Sequence, residues 1–196
     1  MTYIIVGLGN PGEDYVDTPH NTGRTILERF QQEKCFSDWI KKKELKASVS
    51  KGKIEKKSVM LIEPENFMNN SGKSLIKLVN TKKHAEQLVV VYDDIDLPLG
   101  TLKISFNRGS GGHKGVESII KSIKTRAFIR IRVGIAPTTP AGKIKKPKGA
   151  DAVGHYILKK WTTKQRCQLD QIISRAVSAI ETIICYGKEQ AMMKWN

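Results

Sequence analysis

An alternation constrains this chain more than any other feature. Short β-branched apolar runs at Ile4–Leu8, Val59–Ile62 and Leu88–Tyr92 stand apart, with helical spacing between them. Runs this short and this continuous fit strands buried on both faces. Two further stretches, Leu102–Phe106 and Phe128–Ile135, alternate apolar and polar residues as half-buried strands do. In the second, Ile129, Ile131 and Val133 share one face, and Arg130 and Arg132 share the other. Helical stripes are predicted over Thr22–Lys34, Ser71–Asn80, Lys114–Lys124 and Thr163–Tyr186. Thr162 or Thr163 caps the last of these and Gly187 ends it. Strands alternating with helices predict an α/β fold: a single three-layer α/β/α domain over residues 1–196, with a mixed, mostly parallel twisted sheet.

Composition matters for the partner. There are 34 Lys and Arg against 19 Asp and Glu, a formal charge of +15 and a pI near 9.8. Such an excess predicts a polyanionic partner, nucleic acid first among them. Two basic stretches, Lys41–Lys46 and the Pro- and Gly-rich Thr138–Asp151, read as surface loops, the second as a mobile one. The cysteines, Cys35, Cys167 and Cys185, fit no metal spacing, and no apolar run reaches the ~20 residues of a membrane span. The start, MTYIIVGLG, lacks the charged region of a targeting signal. The expectation is a reduced, cytoplasmic, soluble protein with no membrane contact.

In an open α/β sheet, chemistry collects at the carboxyl ends of the strands. The first apolar run is followed by Asn10-Pro11-Gly12 and then His20, one of four histidines. The run at Leu88–Tyr92 is followed by Asp93, Asp94 and Asp96. Four glycines surround His113. Each has an ordinary alternative: Asn-Pro-Gly is turn chemistry, and clustered aspartates can cap a strand or hold a divalent ion. No second histidine–carboxylate cluster completes a ligand set, so no metal is expected. The spacing around His113 is not that of a P-loop, though its backbone amides can approach an oxyanion. Together the pieces suggest a histidine base, a carboxylate that orients it, and asparagine amides for a carbonyl. No Ser or Cys sits in a nucleophile elbow, which favours attack by water on a nucleic-acid-like substrate.

These motifs resemble the bacterial-type peptidyl-tRNA hydrolases. VGLGNPGEDY with T-x-HN-x-G, FMNNSG, DDIDLPLG, GSGGHKG and RIRVGI occur in the family's order over nearly the whole chain. The resemblance implies a metal-independent, cofactor-free, monomeric esterase that frees tRNA from a peptide without a covalent intermediate, with no obligate protein partner. It also implies roles by position: His20 as general base, Asp93 as its orienting acid, and Asn10, Met68 and Asn69 around the reacting ester. Tyr15 would shape the cleft, and His113 would sit in a flexible loop near the RNA 3′ end. Lys103 and Arg132 would clamp a tRNA phosphate. Three positions depart from the family's pattern. Lys114 replaces the usual asparagine, so a lysine contact to a phosphate near the 3′ end stands in for it. Pro19 replaces an arginine, and Ala136 a glycine. Two rivals remain: an RNA-binding module without catalysis, and an esterase or amidase for small molecules.

Overall fold

The computed structural model describes residues 2–139 and 141–196; Met1 and Pro140, the latter inside the basic Thr138–Asp151 stretch, lie outside them. Seven strands form one sheet: β1 (Thr2–Gly7), β2 (Ile40–Lys42), β3 (Ala47–Ile54), β4 (Lys57–Pro64), β5 (Leu88–Pro98), β6 (Leu102–Phe106) and β7 (Ile129–Ala136). Their order is β2-β3-β4-β1-β5-β7-β6. The central neighbours β4, β1, β5 and β7 pair in parallel, and the outer pairings are antiparallel. Only β3 and β6 therefore oppose the rest, which is the mixed, mostly parallel sheet expected.

The period of two sends alternate side chains to opposite faces. In register, Ile5, Leu61, Val89 and Ile129 line one face, and Ile4, Met60 and Leu88 point to the other. The first face packs against α1 (Thr22–Glu33), α5 (Thr163–Tyr186) and α6 (Lys188–Trp195). The second packs against α3 (Lys114–Ile123), α2 (Lys82–Glu86) and the 3-10 turns over Met68–Ser74. The result is the three-layer arrangement. Helix α5 has the bounds its periodicity predicts, and its start is a capping box between Thr162 and Gln165.

Four expectations need correcting. The Ser71–Asn80 stripe is no α-helix: Ser71–Ser74 continue a 3-10 helix, Leu75–Leu78 form a turn, and Val79 and Asn80 are irregular. Its Leu75 and Val79 are still buried, but a Cβ at Gly72 would strike the Ser118 carbonyl, so this segment lies directly on α3. Lys41 and Lys42 belong to β2 rather than a loop, because they pair with Ser48 and Ala47. The described residues of the Thr138–Asp151 stretch are irregular up to Gly149, with a bridge between Thr138 and Ile144, but its last two residues open helix α4 (Ala150–Leu158). Finally, the arginine face of β7 is not open: Arg130 is buried.

Candidate active site

The loop after β1 returns to the sheet through a 3-10 turn at Pro19–Asn21, which runs into α1. Pro19 sets φ for the first position of that turn, and Thr18 before it is extended, as a residue before proline prefers. The Pro19 carbonyl accepts the Thr22 hydroxyl at 2.7 Å. The departure from the family's arginine is thus part of the turn that presents His20. Gly23 then lets α1 start hard against the sheet, since a Cβ there would collide with Leu8 and the Val91 carbonyl. This close approach brings His20 over the end of β5.

Asp93 lies at that end and is 3% exposed; His20 is 8% exposed. The His20 Nδ1 sits 3.0 Å from Asp93 Oδ1 and 3.1 Å from Oδ2. His113 Nε2 meets Oδ1 from the other side at 3.1 Å. Burial alone pushes the Asp93 carboxyl up. The His20 ring and the hydrogen bonds from His113 and His20 more than offset this and hold it well below the usual carboxylate range. An ionised carboxylate accepts only, so both rings donate to it. The Nδ1 of His113 in turn accepts the amides of Gly115 and Val116 at 3.2 and 3.3 Å, which leaves its proton on Nε2. By the same logic His20 carries its proton on Nδ1. Its Nε2 keeps a lone pair with no hydrogen-bond partner among the described residues, and the ring lines a cleft of about 720 Å³.

Asn10 closes the floor. It exchanges hydrogen bonds with the side chain of Asn21 at 2.8 and 3.0 Å. Its own Oδ1 accepts the Met68 amide at 2.8 Å. That contact assigns the amide's orientation and leaves Nδ2 free to donate. Asn69 is exposed at the rim and Met68 is buried beneath it. Lys114 is exposed at the first position of α3, where a cation works against the helix dipole. All of these line the cleft. Tyr15 does not; it stacks edge-on against Phe67, which does, at 6.3 Å. The far wall is apolar: Ile95, Val153, Ile157 and Leu158. The sequence reading missed that wall: Val153, Tyr156 and Ile157 have helical spacing, but the helix is only 9 residues long, holds Gly154 and follows a stretch rich in proline and glycine.

Lys103 and Arg132 lie outside the cleft. They face each other in register on β6 and β7 and line a second pocket of about 570 Å³, with Arg108 and Arg130. Arg132 Nε pairs with Asp94 at 2.6 Å, a partner the sequence reading did not assign. Beneath the Asn10 loop, Arg24 bridges Glu63 and Glu65 at 3.0 and 3.2 Å. Burial pushes the Glu63 carboxyl up to about 8 even so, the Arg24 charge opposing. Ala136 is fully buried, and its carbonyl accepts the Leu99 amide at 2.9 Å.

The donor atoms of His20, Asp93 and His113 lie within 4.8 Å of one another, close enough for a divalent ion to use them. An ion there would have to displace the hydrogen bonds by which Asp93 fixes both rings.

Fold and centre together define a three-layer α/β protein in which a half-buried His113 joins the buried His20–Asp93 pair at the carboxyl end of a parallel strand. The family model for peptidyl-tRNA hydrolase matches residues 4–196. A peptidyl-tRNA hydrolase of Thermodesulfovibrio yellowstonii is 38% identical over 196 residues, covering 98% of each chain. One from Syntrophotalea carbinolica is 34% identical over 194 residues, covering 98% of this chain and 96% of its own. The crystal structure of peptidyl-tRNA hydrolase from Acinetobacter baumannii superposes with a TM-score of 0.87 at 28% identity, covering 99% of this chain and 94% of that one. The chain belongs to the peptidyl-tRNA hydrolase family.

Proposed function

We propose that the protein hydrolyses peptidyl-tRNA at the ester between the peptide's terminal carbonyl and the 3′-terminal ribose. The observation that carries this reading is the bare Nε2 of His20, opposite an Nδ1 held by Asp93 at 3.0 and 3.1 Å. Nε2 takes a proton from a water, and the oxygen of that water attacks the ester carbonyl. Asp93 stabilises the imidazolium that forms. The free Nδ2 of Asn10 donates to the carbonyl oxygen as it gains charge, and Asn69 sits at the rim to hold the peptide. The imidazolium then returns its proton to the departing 3′ oxygen. Every proton is accounted for by His20, and no step uses a metal.

Lys103 and Arg132 bind an RNA phosphate in the second pocket, and Arg132 suits the geometry of a phosphate well. Lys114 meets a phosphate nearer the reacting end. The apolar wall accepts peptides by surface rather than by side-chain identity. Both apolar layers pack on one sheet, which supports a single domain; we take it to act as a cytoplasmic monomer, which sedimentation at working concentration checks.

The test is release of the blocked amino acid from N-acetyl-aminoacyl-tRNA with EDTA present. Release should persist, vanish in His20→Ala and show a KM that rises with salt. RNA binding without turnover would support the rival binding module. A KM indifferent to salt and to Arg132→Ala would support the small-molecule esterase.

A further inference from the structure

We propose that Arg130 is a positioning residue, whose guanidinium fixes the root of the Gly-rich loop and thereby the place of His113. The inference rests on reading His20, Asp93 and His113 as the reacting centre.

Arg130 is 1% exposed and is the bulkiest of the fully buried side chains. Burying a guanidinium is costly unless its donors are satisfied. Two of its nitrogens donate to the carbonyls of Arg108 and Gly109. Its flat face lies 4.6 Å from the ring centre of Phe128. Those carbonyls are where the chain leaves β6 for the loop. Beyond them the loop's bonds are internal: Gly112 donates to the Ser110 hydroxyl at 3.3 Å, and His113 to the Ser110 carbonyl at 3.1 Å. Gly111 and Gly112 have φ of 61° and 80°, and side chains at Gly109, Gly111 and Gly112 would meet open space. Between the end of β6 and His113, among the described residues, Arg130 supplies the hydrogen bonds that tie the loop to the sheet.

The consequence reaches the centre. His113 follows the second anchored carbonyl, that of Gly109, by four residues and brings Nε2 to 3.1 Å from Asp93. A glycine-rich segment released at its root has many ways to miss that distance. Arg130 also stands between two sites. Its Nε and the hydroxyl of Ser105, paired with it across the strands, are buried without a partner among the described residues, and both residues line the pocket that holds Lys103 and Arg132. The residue could therefore be taken for one more phosphate ligand, and the experiment has to separate the two roles.

Arg130→Met keeps the bulk and removes the donors; Arg130→Lys keeps the charge but cannot span two carbonyls as a planar fork does. Both are assayed for kcat and KM on N-acetyl-aminoacyl-tRNA, and for amide hydrogen exchange over residues 107–113. A positioning role predicts a kcat ~10–100-fold lower in the Met variant with KM within about threefold, and partial recovery in the Lys variant. It predicts faster exchange at Ser110–His113 with β5 and β7 unchanged. A raised KM with kcat intact would make Arg130 a phosphate contact and overturn the proposal. Unchanged loop exchange in the Lys variant would overturn it too, even if the Met variant does not fold. Should the wild-type protein not turn over peptidyl-tRNA, the proposed function falls, while loop exchange still decides the role of Arg130.

Discussion

On one side of the cleft, Asn10, His20 and Asp93 are each 8% exposed or less, and each is held by at least two hydrogen bonds to another part of the chain. On the other, α4 buries none of its residues, and one hydroxyl, that of Tyr156, reaches back to the sheet at the Ile135 carbonyl. A surface pair, Lys146 with Asp96, joins the loop before α4 to the end of β5 at 2.5 Å. On the proposed function, the contrast separates two jobs. Proton transfer needs groups fixed in a dry place, where their dipoles are preorganised. Accepting peptides of many sequences needs a wall that yields, and a helix with little buried surface yields at small cost.

The largest effect expected on the inner wall is that of Asp93→Asn. The Nδ1 of His20 reaches both carboxylate oxygens, so whichever way an amide at 93 is turned its NH₂ faces that N–H, and His20 loses its orientation. A fall in kcat of ~10²–10⁴-fold on N-acetyl-aminoacyl-tRNA follows, with the urea midpoint recorded beside it. A loss under about tenfold would mean that the two walls differ in packing but not in chemistry.

Asn10→Ala comes next. It strands the Met68 amide and removes the free donor, and should lower kcat/KM by about 10–100-fold. An effect confined to KM would place Asn10 with the yielding wall.

Glu63 tests the support under the Asn10 loop. Its carboxyl titrates near 4.5 in the unfolded chain and at about 8 in the folded one. Between those values the unfolded chain has given up its proton while the folded one keeps it, so rising pH favours unfolding. Stability should decline across that window, and Glu63→Gln should flatten the slope in denaturant titrations. An unchanged slope would mean that Arg24 keeps Glu63 ionised throughout.

Lys146→Ala should do least. Both partners are nearly half exposed, and such pairs contribute little. KM should move by less than about twofold. A larger shift would show that the outer wall is held more firmly than its burial suggests.

How far this contrast could be read from the sequence follows the same division. Strands β1, β4 and β5 were legible because burial on both faces leaves continuous β-branched runs, β6 and β7 because apolar and polar residues alternate in them, and His20 and Asp93 because polar clusters follow two of the continuous runs. Strand β3 was not legible: Ser48 and Ser50 are buried where a pattern of apolar residues would have marked it. The Ser71–Asn80 stripe misled because Leu75 and Val79 are spaced for a helix, while close packing at Gly72 holds the chain in tighter turns. Arg130 read as a polar face, since nothing in its alternation shows that the Gly-rich loop will fold over it. Helix α4 was missed because it is only 9 residues long and follows directly on a stretch rich in proline and glycine, so its few apolar positions did not stand out.

The ring of His113 stands at the start of α3 as its cap, with Nδ1 accepting from Gly115 and Val116. A nitrogen that serves a helix this way cannot also carry a proton. One ring therefore serves two neighbours, and a single substitution at 113 should unfasten both the Asp93 carboxylate and the first turn of α3. Amide exchange at Gly115 and Val116 should accelerate in His113→Ala, beside a fall in turnover. Unchanged exchange there would mean that the cap and the centre are separable after all.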